Sequence, residues 1–257
     1  MGLVLAGGFV LTACGGLPTF EASPPADAQA KHTFSLWQGA VITALAVGAV
    51  VMALIVWNIV RYRHRSGDPE LPDQRHGNGP LEVVYTAVPI VIVAVLFFFT
   101  VGTENSVDAV SRGPAARVKV TAYQWGWQFH YQGTPVTVGT IGAGWLNTSP
   151  ALPTSPRYPQ LVLPEGEATQ ISLVSLDVVH GFYVHAFLFS RYAQPGVTNV
   201  FDLTPTKLGV FQGRCSQLCG LYHAEMLFSV KVVTPAQFRS WLAAQTHAAV
   251  QTQQAVK

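Results

Sequence analysis

Two long stretches without a charged residue constrain this chain more than any other feature of its sequence. The first extends from Phe34 to Val60 and the second from Val83 to Thr103. A helix needs about 20 apolar residues to cross the hydrocarbon core of a bilayer, and both stretches are long enough. Charged residues make up 11% of the 257 residues, against roughly 25% in an ordinary soluble domain. We therefore predict a transmembrane helical hairpin at residues 34–104.

The short connection between the two stretches indicates how the hairpin is oriented. It carries four arginines, namely Arg61, Arg63, Arg65 and Arg75. Short loops rich in Lys and Arg stay on the cytoplasmic side of a membrane. We therefore expect a two-span protein of the bacterial cell membrane, with both termini and all residues after the hairpin on the outer, periplasmic side.

The N-terminus is similar to an export signal. Residues 1–13 are uncharged and end in Leu-Thr-Ala before Cys14, followed by two glycines. A short apolar segment that ends in small residues is typical of a secretory signal, and this ending resembles that of a bacterial lipoprotein, although no Lys or Arg precedes it. We predict a signal segment at 1–14, with Cys14 as the lipidated residue. The Gly-, Pro- and Ala-rich residues 15–33 then predict a flexible exported linker.

The remainder of the chain has the pattern of a β domain. Apolar and polar residues alternate with a period of two in three segments: Val118–Tyr123, Thr169–Ser175 and Phe228–Val233. Short strands of this kind, separated by Gly- and Pro-rich turns, predict an all-β sandwich or barrel, which we place at 105–235. The helical spacing of Phe238, Trp241 and Leu242 predicts a C-terminal helix with a disordered tail at 236–257.

Charge and cysteine content exclude two classes of protein. The formal net charge is only +2, so no nucleic-acid partner is indicated. The chain has three cysteines, Cys14, Cys215 and Cys219, which is too few for a disulfide framework. The close spacing of the last two therefore needs another explanation.

A short segment near the C-terminus combines sulfur and imidazole. Cys215, Cys219, His223 and Met226 lie within twelve residues. This donor set favours copper, zinc or an iron–sulfur centre. A zinc site often uses two closely spaced pairs of Cys and His ligands, and the chain has no second cysteine pair. A mononuclear blue-copper site uses one Cys, two His and a weak Met, whereas two thiolates can bridge two copper ions.

The second imidazole must come from elsewhere in the chain. His180 closes the sequence Asp177-Val-Val-His180, directly after the apolar segment Ile171–Leu176. An imidazole at the end of a strand suits a site that is completed by a later loop. His185, five residues further on, is the competing candidate, but we favour His180 because the upstream segment places it at the strand end.

The pattern Cys-Ser-x-x-Cys-Gly-x-x-His-x-x-Met, with Asp-x-x-His upstream, resembles subunit II of haem–copper cytochrome c oxidases. The resemblance also includes Glu82-x-x-x-Thr86-x-x-Pro89 and the aromatic cluster from Tyr123 to Phe129. It implies that the β domain is a cupredoxin-like sandwich and that it holds the dinuclear copper centre CuA.

The same resemblance implies a role for each residue of the motif. Cys215 and Cys219 would be bridging thiolates, and His180 and His223 the terminal imidazoles. The other two ligands would be Met226 and the backbone carbonyl of Gln217. The family usually has Glu at the position of Gln217, where the carboxylate reaches a magnesium ion at the interface with subunit I. Gln lacks that charge, which makes magnesium doubtful here.

Two further residues match functional positions of the family. Trp125 matches the exposed aromatic residue through which electrons arrive from cytochrome c, whereas Trp127 is expected in the core. Glu82 matches a carboxylate near the cytoplasmic mouth of a proton path, although a Glu at the membrane interface can also be structural. His185, where the family usually has Pro, and Val197, where Arg is common, depart from the pattern.

The implied function is that of the electron-accepting subunit of a proton-pumping cytochrome c oxidase. Electrons would pass from cytochrome c, or from a membrane-bound cytochrome c domain, through CuA to the haems of subunit I, where oxygen is reduced to water. Subunits I and III would be partners. Two alternatives remain: a CuA-containing subunit of a nitric oxide reductase, and a copper-binding assembly protein. A quinol oxidase subunit lacks copper ligands, which are intact here.

Overall fold

The computed structural model describes residues 17–65, 67, 77–139 and 158–255. The predicted signal segment 1–14, with Cys14, lies outside these residues. Within them, two long helices are followed by a β domain of two sheets and by a C-terminal helix. This order confirms the predicted fold class of an N-terminal hairpin and an all-β domain.

The two long helices turn their apolar side chains outward. Helix α1 spans Ala28–Arg61 and helix α2 spans Gly79–Asp108. Both are long and apolar enough to cross a membrane, and no side chain in the most apolar part of either described helix is buried. A helix that is apolar on all sides needs an apolar environment. The hairpin is therefore suited to lie in a lipid bilayer.

Side-chain caps mark where each long helix begins. The Asp27 carboxylate accepts a hydrogen bond from the Gln29 N–H at 2.9 Å at the start of α1. Before α2, the Asn78 side chain accepts from the Leu81 N–H at 3.3 Å, and the Glu82 carboxylate accepts from the Asn78 N–H at 3.1 Å. These side chains satisfy backbone donors that a helix N-terminus leaves without a partner.

In the described residues, the β domain contains ten strands in two five-stranded sheets. The strands are β1 (Ala116–Tyr123), β2 (Gly126–Tyr131), β3 (Thr137–Val138), β4 (Gln160–Pro164), β5 (Thr169–Ser175), β6 (His180–Val184), β7 (Phe189–Ala193), β8 (Asn199–Leu203), β9 (Gly209–Cys215) and β10 (Leu227–Val233). The first sheet has the order β3-β2-β1-β5-β8 and the second the order β4-β10-β9-β6-β7. Two of the pairs, β1–β5 and β4–β10, are parallel.

Aromatic rings fill the space between the two sheets. Phe182 stacks on Phe228 with ring centroids 4.8 Å apart, and Trp127 lies edge-on to Phe228 at 5.2 Å. Trp127 is fully buried, which confirms its predicted place in the core. Gly213 is required here, because a Cβ at this position would lie 2.2 Å from the Phe228 ring.

The residues before α1 are held against the β domain, although their composition predicts a flexible linker. Asp27 is almost fully buried, and its second carboxylate oxygen accepts from the Thr204 N–H at 2.7 Å. Backbone hydrogen bonds join Ala26 to Ala186 at 2.9 Å and to Thr206 at 2.8 Å. Helix α1 begins at Ala28 rather than near residue 34 because Asp27 both caps it and binds the loop after β8.

The end of α2 is attached to the same part of the β domain. The Asp202 carboxylate on β8 accepts from the Ser111 N–H at 2.6 Å. Asp108, the last residue of α2, forms an ion pair with Arg191 on β7. Both membrane helices are therefore joined to the β domain at or beside β8.

The C-terminal helix α3 spans Pro235–Ala255 and covers one end of the sandwich. Its buried Phe238 and its Trp241 pack against Tyr131, with ring centroids 6.3 and 5.1 Å away. The helical spacing of these aromatic residues is confirmed. The helix ends at Ala255 and thus includes the first residues of the 252–257 stretch, which the sequence predicts to be a disordered tail.

Candidate metal centre

A close approach of β6 and β9 brings the predicted ligands together. His180 is the first residue of β6, and Cys215 is the last residue of β9. The Gly181 N–H donates to Cys215 Sγ at 3.4 Å, and the Gly181 carbonyl accepts from the Ser216 N–H at 3.0 Å. A Cβ on Gly181 would lie 2.2 Å from Ser216 Oγ. Only glycine therefore allows the two strand ends to meet at this distance.

Three predicted ligands form one buried group. The donor atoms of His180, Cys215 and Cys219 all lie within 4.8 Å of one another, and all three residues are buried. The two Sγ atoms are 3.8 Å apart, so both cysteines are free thiols rather than a disulfide. Two thiols and an imidazole in one buried group are a donor set for a soft metal ion.

The remaining predicted ligands surround the same two sulfur atoms. Cys219 Sγ lies 3.5 Å from His223 Nδ1 and 3.8 Å from Met226 Sδ. Cys215 Sγ lies 3.1 Å from the carbonyl oxygen of Gln217. The structure thus brings all six predicted copper ligands together, although they come from two segments about 35 residues apart along the chain.

Asp177 orients the His180 ring. The His180 Nε2 atom lies 2.7 Å from Asp177 Oδ1, so this nitrogen donates to the carboxylate. His180 Nδ1 is buried and has no hydrogen-bond partner among the residues that the structure describes. The neutral imidazole in this tautomer has a free lone pair on Nδ1, which is the arrangement found in metal-binding histidines.

Asp177 is itself held by several hydrogen bonds. Its Oδ2 atom accepts from the Gln124 N–H at 2.6 Å, and its Oδ1 atom accepts from the Val178 N–H at 2.7 Å. Burial would raise the pKa of Asp177, but hydrogen bonds from His180 and from these two N–H groups outweigh it and lower the pKa. The carboxylate is therefore a fixed, ionised acceptor. Sequence reasoning used Asp177 only as part of a motif, and its position three residues before His180 was the available signal.

The two thiols differ in how easily they ionise. Burial would raise the pKa of Cys215, but in the metal-free chain a protonated His180 ring and the Gly181 N–H stabilise its thiolate and lower the pKa. Burial and the charge of Cys215 both raise the pKa of Cys219. Two adjacent thiolates repel each other, so a bound cation is needed for both to be ionised at neutral pH.

Trp125 lies next to the ligand loop and is only partly buried. Its indole Nε1–H donates to the Cys219 carbonyl at 3.1 Å, and the Gln124 side chain donates to the same oxygen at 2.7 Å. The edge of the Trp125 ring contacts Tyr222, with centroids 5.0 Å apart. Trp125 also packs on the core cluster. It therefore joins the surface to the backbone of a predicted ligand.

Exposed aliphatic side chains flank the ligands on both segments. Leu218 and Leu221 are 76% and 81% exposed on the ligand loop, on either side of Cys219. Leu176 and Val178 are exposed just before His180. We call these four residues and Trp125 the apolar rim. Exposed apolar patches of this kind mark sites of interaction with other molecules.

The other singled-out residues lie apart from the ligand group. Glu82 is exposed in the first turn of α2, where it accepts from the Asn78 N–H. His185 is exposed and its Nδ1 atom lies 2.6 Å from Tyr183 Oη, so the structure places it outside the group formed by His180, Cys215 and Cys219. Val197 is 46% exposed in the loop between β7 and β8.

Comparison with known proteins identifies the family of the chain. The sequence profile described as "Cytochrome C oxidase subunit II, periplasmic domain" matches residues 116–233. A probable cytochrome c oxidase subunit 2 of Streptomyces coelicolor is 36% identical over 252 residues, covering 88% of this chain and 77% of the relative. The chain belongs to the cytochrome c oxidase subunit II family. The cytochrome c oxidase subunit 2 of Mycobacterium bovis, also 36% identical, covers 80% of this chain and 69% of the relative.

Among solved structures, the crystal structure of the periplasmic domain of cytochrome oxidase subunit II from Bradyrhizobium japonicum is similar to the β domain. It is 26% identical and covers 54% of this chain and 99% of that domain, with a TM-score of 0.45. Membership of the family confirms the resemblance inferred from the motif. The chain is thus subunit II of a haem–copper oxidase complex, a membrane protein and a partner of subunit I.

Proposed function

We propose that this chain is the electron-accepting subunit of a proton-pumping cytochrome c oxidase and that it holds a dinuclear CuA centre. Electrons would pass from a c-type cytochrome, soluble or membrane-bound, to the haems of subunit I, where oxygen is reduced to water. The buried group of His180, Cys215 and Cys219, with His223 and Met226 beside it, is the observation that carries this proposal.

The chemistry of these residues suits two copper ions. In this proposal Cys215, Cys219, His180 Nδ1 and His223 Nδ1 would hold the two ions. Met226 and the Gln217 carbonyl serve as weak outer ligands. The buried His180 Nδ1 atom, without a partner among the described residues, favours the proposal because a buried nitrogen without a hydrogen bond is costly unless a metal satisfies it. When bound, the copper pair supplies one-electron transfer.

The chain's own residues keep such a site rigid. Asp177 fixes the tautomer and orientation of His180, and the Gly181 N–H bonds to Cys215 Sγ. Cys219 is fixed through its carbonyl, which accepts from Gln124 and Trp125. Ligands that cannot move change little between two oxidation states, which favours rapid electron transfer. The buried position of Cys215, Cys219 and Met226 excludes water from the sulfur atoms.

The apolar rim is the surface that we propose for docking of the electron donor. Its aliphatic side chains surround the ligand-bearing segments, and the Trp125 indole connects this surface to the Cys219 carbonyl. The carboxylate of Asp177, between Leu176 and Val178, is occupied by internal hydrogen bonds. A donor with an apolar surface around its haem edge would fit this face, and binding would depend on apolar burial more than on charge.

Sidedness, lipidation and the remaining sites are also proposals. The arginines of the hairpin loop favour a cytoplasmic loop and a periplasmic β domain. We further propose lipidation of Cys14, a proton-path role for Glu82 and contact with subunit III. We do not propose a magnesium site, because Gln217 lacks the negative charge of the usual Glu. Protease added to intact spheroplasts should cleave the β domain, and cleavage only from the cytoplasmic side would contradict the orientation.

Copper analysis of the full-length chain tests the central proposal. We expect two copper ions per chain and an electron paramagnetic resonance spectrum in which one unpaired electron is shared by both. Cys219→Ser should leave at most one copper, because one thiolate cannot bridge the pair. Cys14→Ser, which removes the proposed lipidation site but no proposed ligand, should retain two. A single localised copper in the unaltered chain would contradict the proposal.

The complex purified from native membranes distinguishes the oxidase from the nitric oxide reductase. Co-purification with a haem-containing subunit I that consumes oxygen supports the proposed function. Consumption of nitric oxide without oxygen reduction would instead favour the reductase.

A further inference from the structure

A small cavity on the outer face of the second sheet lies outside the metal centre. Its volume is about 320 Å³, and it is lined by Tyr183, His185, Gln212, Gly213, Arg214 and Leu227. Three neighbouring strands and the turn after β6 contribute these residues. The polar ones are hydrogen-bond donors, and the lining contains no carboxylate.

Strand register creates this cavity. Tyr183 on β6 pairs with Arg214 on β9, and Arg214 pairs with Leu227 on β10. Successive residues of a strand face opposite sides of a sheet. The buried Phe182 and Cys215 therefore face the core and the metal centre, whereas Tyr183 and the exposed Arg214 face outward.

Arg214 carries a positive charge that no described carboxylate neutralises. Its guanidinium carbon lies 5.3 Å from the centroid of the Tyr183 ring, a cation–π contact that holds the group above the ring. By contrast, Arg191 is paired with Asp108, and Arg239 with Glu167. The donor edge of Arg214 is thus left for a ligand.

His185 adds a second donor to the cavity. Its Nδ1 atom lies 2.6 Å from Tyr183 Oη. When the tyrosine hydroxyl donates to Nδ1, the proton of the neutral imidazole is on Nε2, which then acts as a donor. The Gln212 amide is a third donor group in the lining. His185 is also the residue that the metal centre leaves without a role.

We propose that this cavity binds an anionic oxygen group, with Arg214 as the main binding residue and His185 and Gln212 as supporting donors. Charge-assisted hydrogen bonds from a guanidinium fork are suited to phosphate and carboxylate. Free phosphate and a carboxylate group share this chemistry. The proposal does not depend on copper, because none of the lining residues is a proposed ligand.

Histidine-ring nuclear magnetic resonance of the full chain in detergent tests the proposal. The chain is reduced so that any bound copper is diamagnetic, and is titrated with inorganic phosphate or with acetate at constant ionic strength. We expect a saturable shift of the His185 ring signals. Tighter binding of phosphate indicates a phosphate ligand, whereas tighter binding of acetate indicates a carboxylate.

Matched variants decide whether the shift reports this cavity. Arg214→Gln should raise the dissociation constant at least about tenfold, since it removes the charge and the donor fork. Tyr183→Phe keeps the ring below Arg214 but frees His185, and should have a smaller effect. Arg239→Gln, an exposed arginine elsewhere on the chain, should have none. Unaltered melting of Arg214→Gln shows that the variant is folded.

Any one of the following results would overturn the proposal. One is the absence of a saturable shift with both anions. The second is an equal dissociation constant for Arg214→Gln and for the unaltered chain, and the third is an equal loss of binding for Arg239→Gln. Should Arg214→Gln melt early, the shift in Tyr183→Phe decides instead, and unchanged binding there removes His185 from the site.

Discussion

The hairpin and the β domain use apolar residues in opposite ways. Phe98 in α2 is 74% exposed, whereas Trp127, Phe182 and Phe228 in the β domain are fully buried. No side chain in the most apolar part of either described hairpin helix is buried, while the sandwich closes its own core. The two parts are therefore stabilised by different surroundings: the β domain by its own packing, and the hairpin by an apolar environment outside the chain.

The largest expected effect on stability comes from removing the Trp127 ring in the β domain, and the Phe98 ring in the hairpin serves for comparison. Trp127→Ala should lower the free energy of unfolding of the β domain by about 3–5 kcal/mol, because it leaves a cavity between the sheets. Phe98→Ala should leave the melting of the β domain unchanged, since its side chain faces outward. Thermal unfolding of both variants in detergent measures the difference in their stability. It is monitored by far-ultraviolet circular dichroism, because this signal depends little on tryptophan. Equal destabilisation by both substitutions would contradict the difference in burial between the two rings.

A second prediction concerns Asp27, which joins the two regions. Burial raises the pKa of Asp27 from 3.8 to about 6, despite hydrogen bonds from Gln29 and Thr204. A raised pKa in the folded state means that the folded chain binds the proton more tightly than the unfolded chain. The stabilisation from Asp27 should therefore be complete below about pH 4 and be lost as the pH rises through 6, with a total on the order of 2–3 kcal/mol.

The measurement for Asp27 is a difference between two pH profiles of stability. Asp27→Asn cannot titrate, so subtracting its profile from that of the unaltered chain should leave a fall between about pH 4 and pH 6. A constant offset is also expected, because Asn has a single acceptor oxygen for two N–H donors. A flat difference over this range would show that Asp27 is not buried at the junction.

The third prediction concerns the effect of Asp177 in the β domain on copper affinity. Asp177→Asn should weaken copper binding about 10–100-fold, because it weakens the hydrogen bond that orients His180. Glu167→Gln, which changes an exposed carboxylate paired with Arg239, serves as the control and should not alter copper affinity. Competition with a copper chelator measures both. Equal affinities for Asp177→Asn and Glu167→Gln would remove Asp177 from the site.

The smallest expected effect on stability belongs to Trp125. Trp125→Phe removes the hydrogen bond to the Cys219 carbonyl, which contributes about 1 kcal/mol. If electrons arrive through the indole, this variant should slow copper reduction by the donor far more than it weakens donor binding. Stopped-flow reduction and thermal melting of the same variant separate the two roles. Normal reduction with lowered stability would assign Trp125 to the core alone.

Sequence reasoning succeeded where the signal was local. Uncharged stretches located the hairpin, alternating residues located the strands, and the ligands from Cys215 to Met226 lie on one loop. The family comparisons confirm the assignment that this motif suggested. Its spacing is informative because a metal site needs its donors within a few ångströms.

Features that depend on contacts between distant parts of the chain could not be predicted from the sequence. The docking of residues before α1 depends on a hydrogen bond between Asp27 and Thr204, which lie 177 positions apart. The cavity beside Arg214 depends on its pairing with Tyr183, which is a matter of strand register. Composition and periodicity contain no information on such pairings, so the Pro- and Ala-rich segment was interpreted as a linker.

The two attachments at β8 have a mechanical consequence. The chain before α1 binds Thr204, and the chain after α2 binds Asp202, two residues earlier. Together with the hydrogen bond between Ala26 and Ala186 and the ion pair between Asp108 and Arg191, these attachments hold the sandwich to both helices at several points and restrict its rotation about either helix. The contacts on and beside β8 thereby limit the angle between the sandwich and the membrane plane. Inserting a few glycines into the segment before α1 or after α2 would increase this freedom of rotation without altering any proposed ligand.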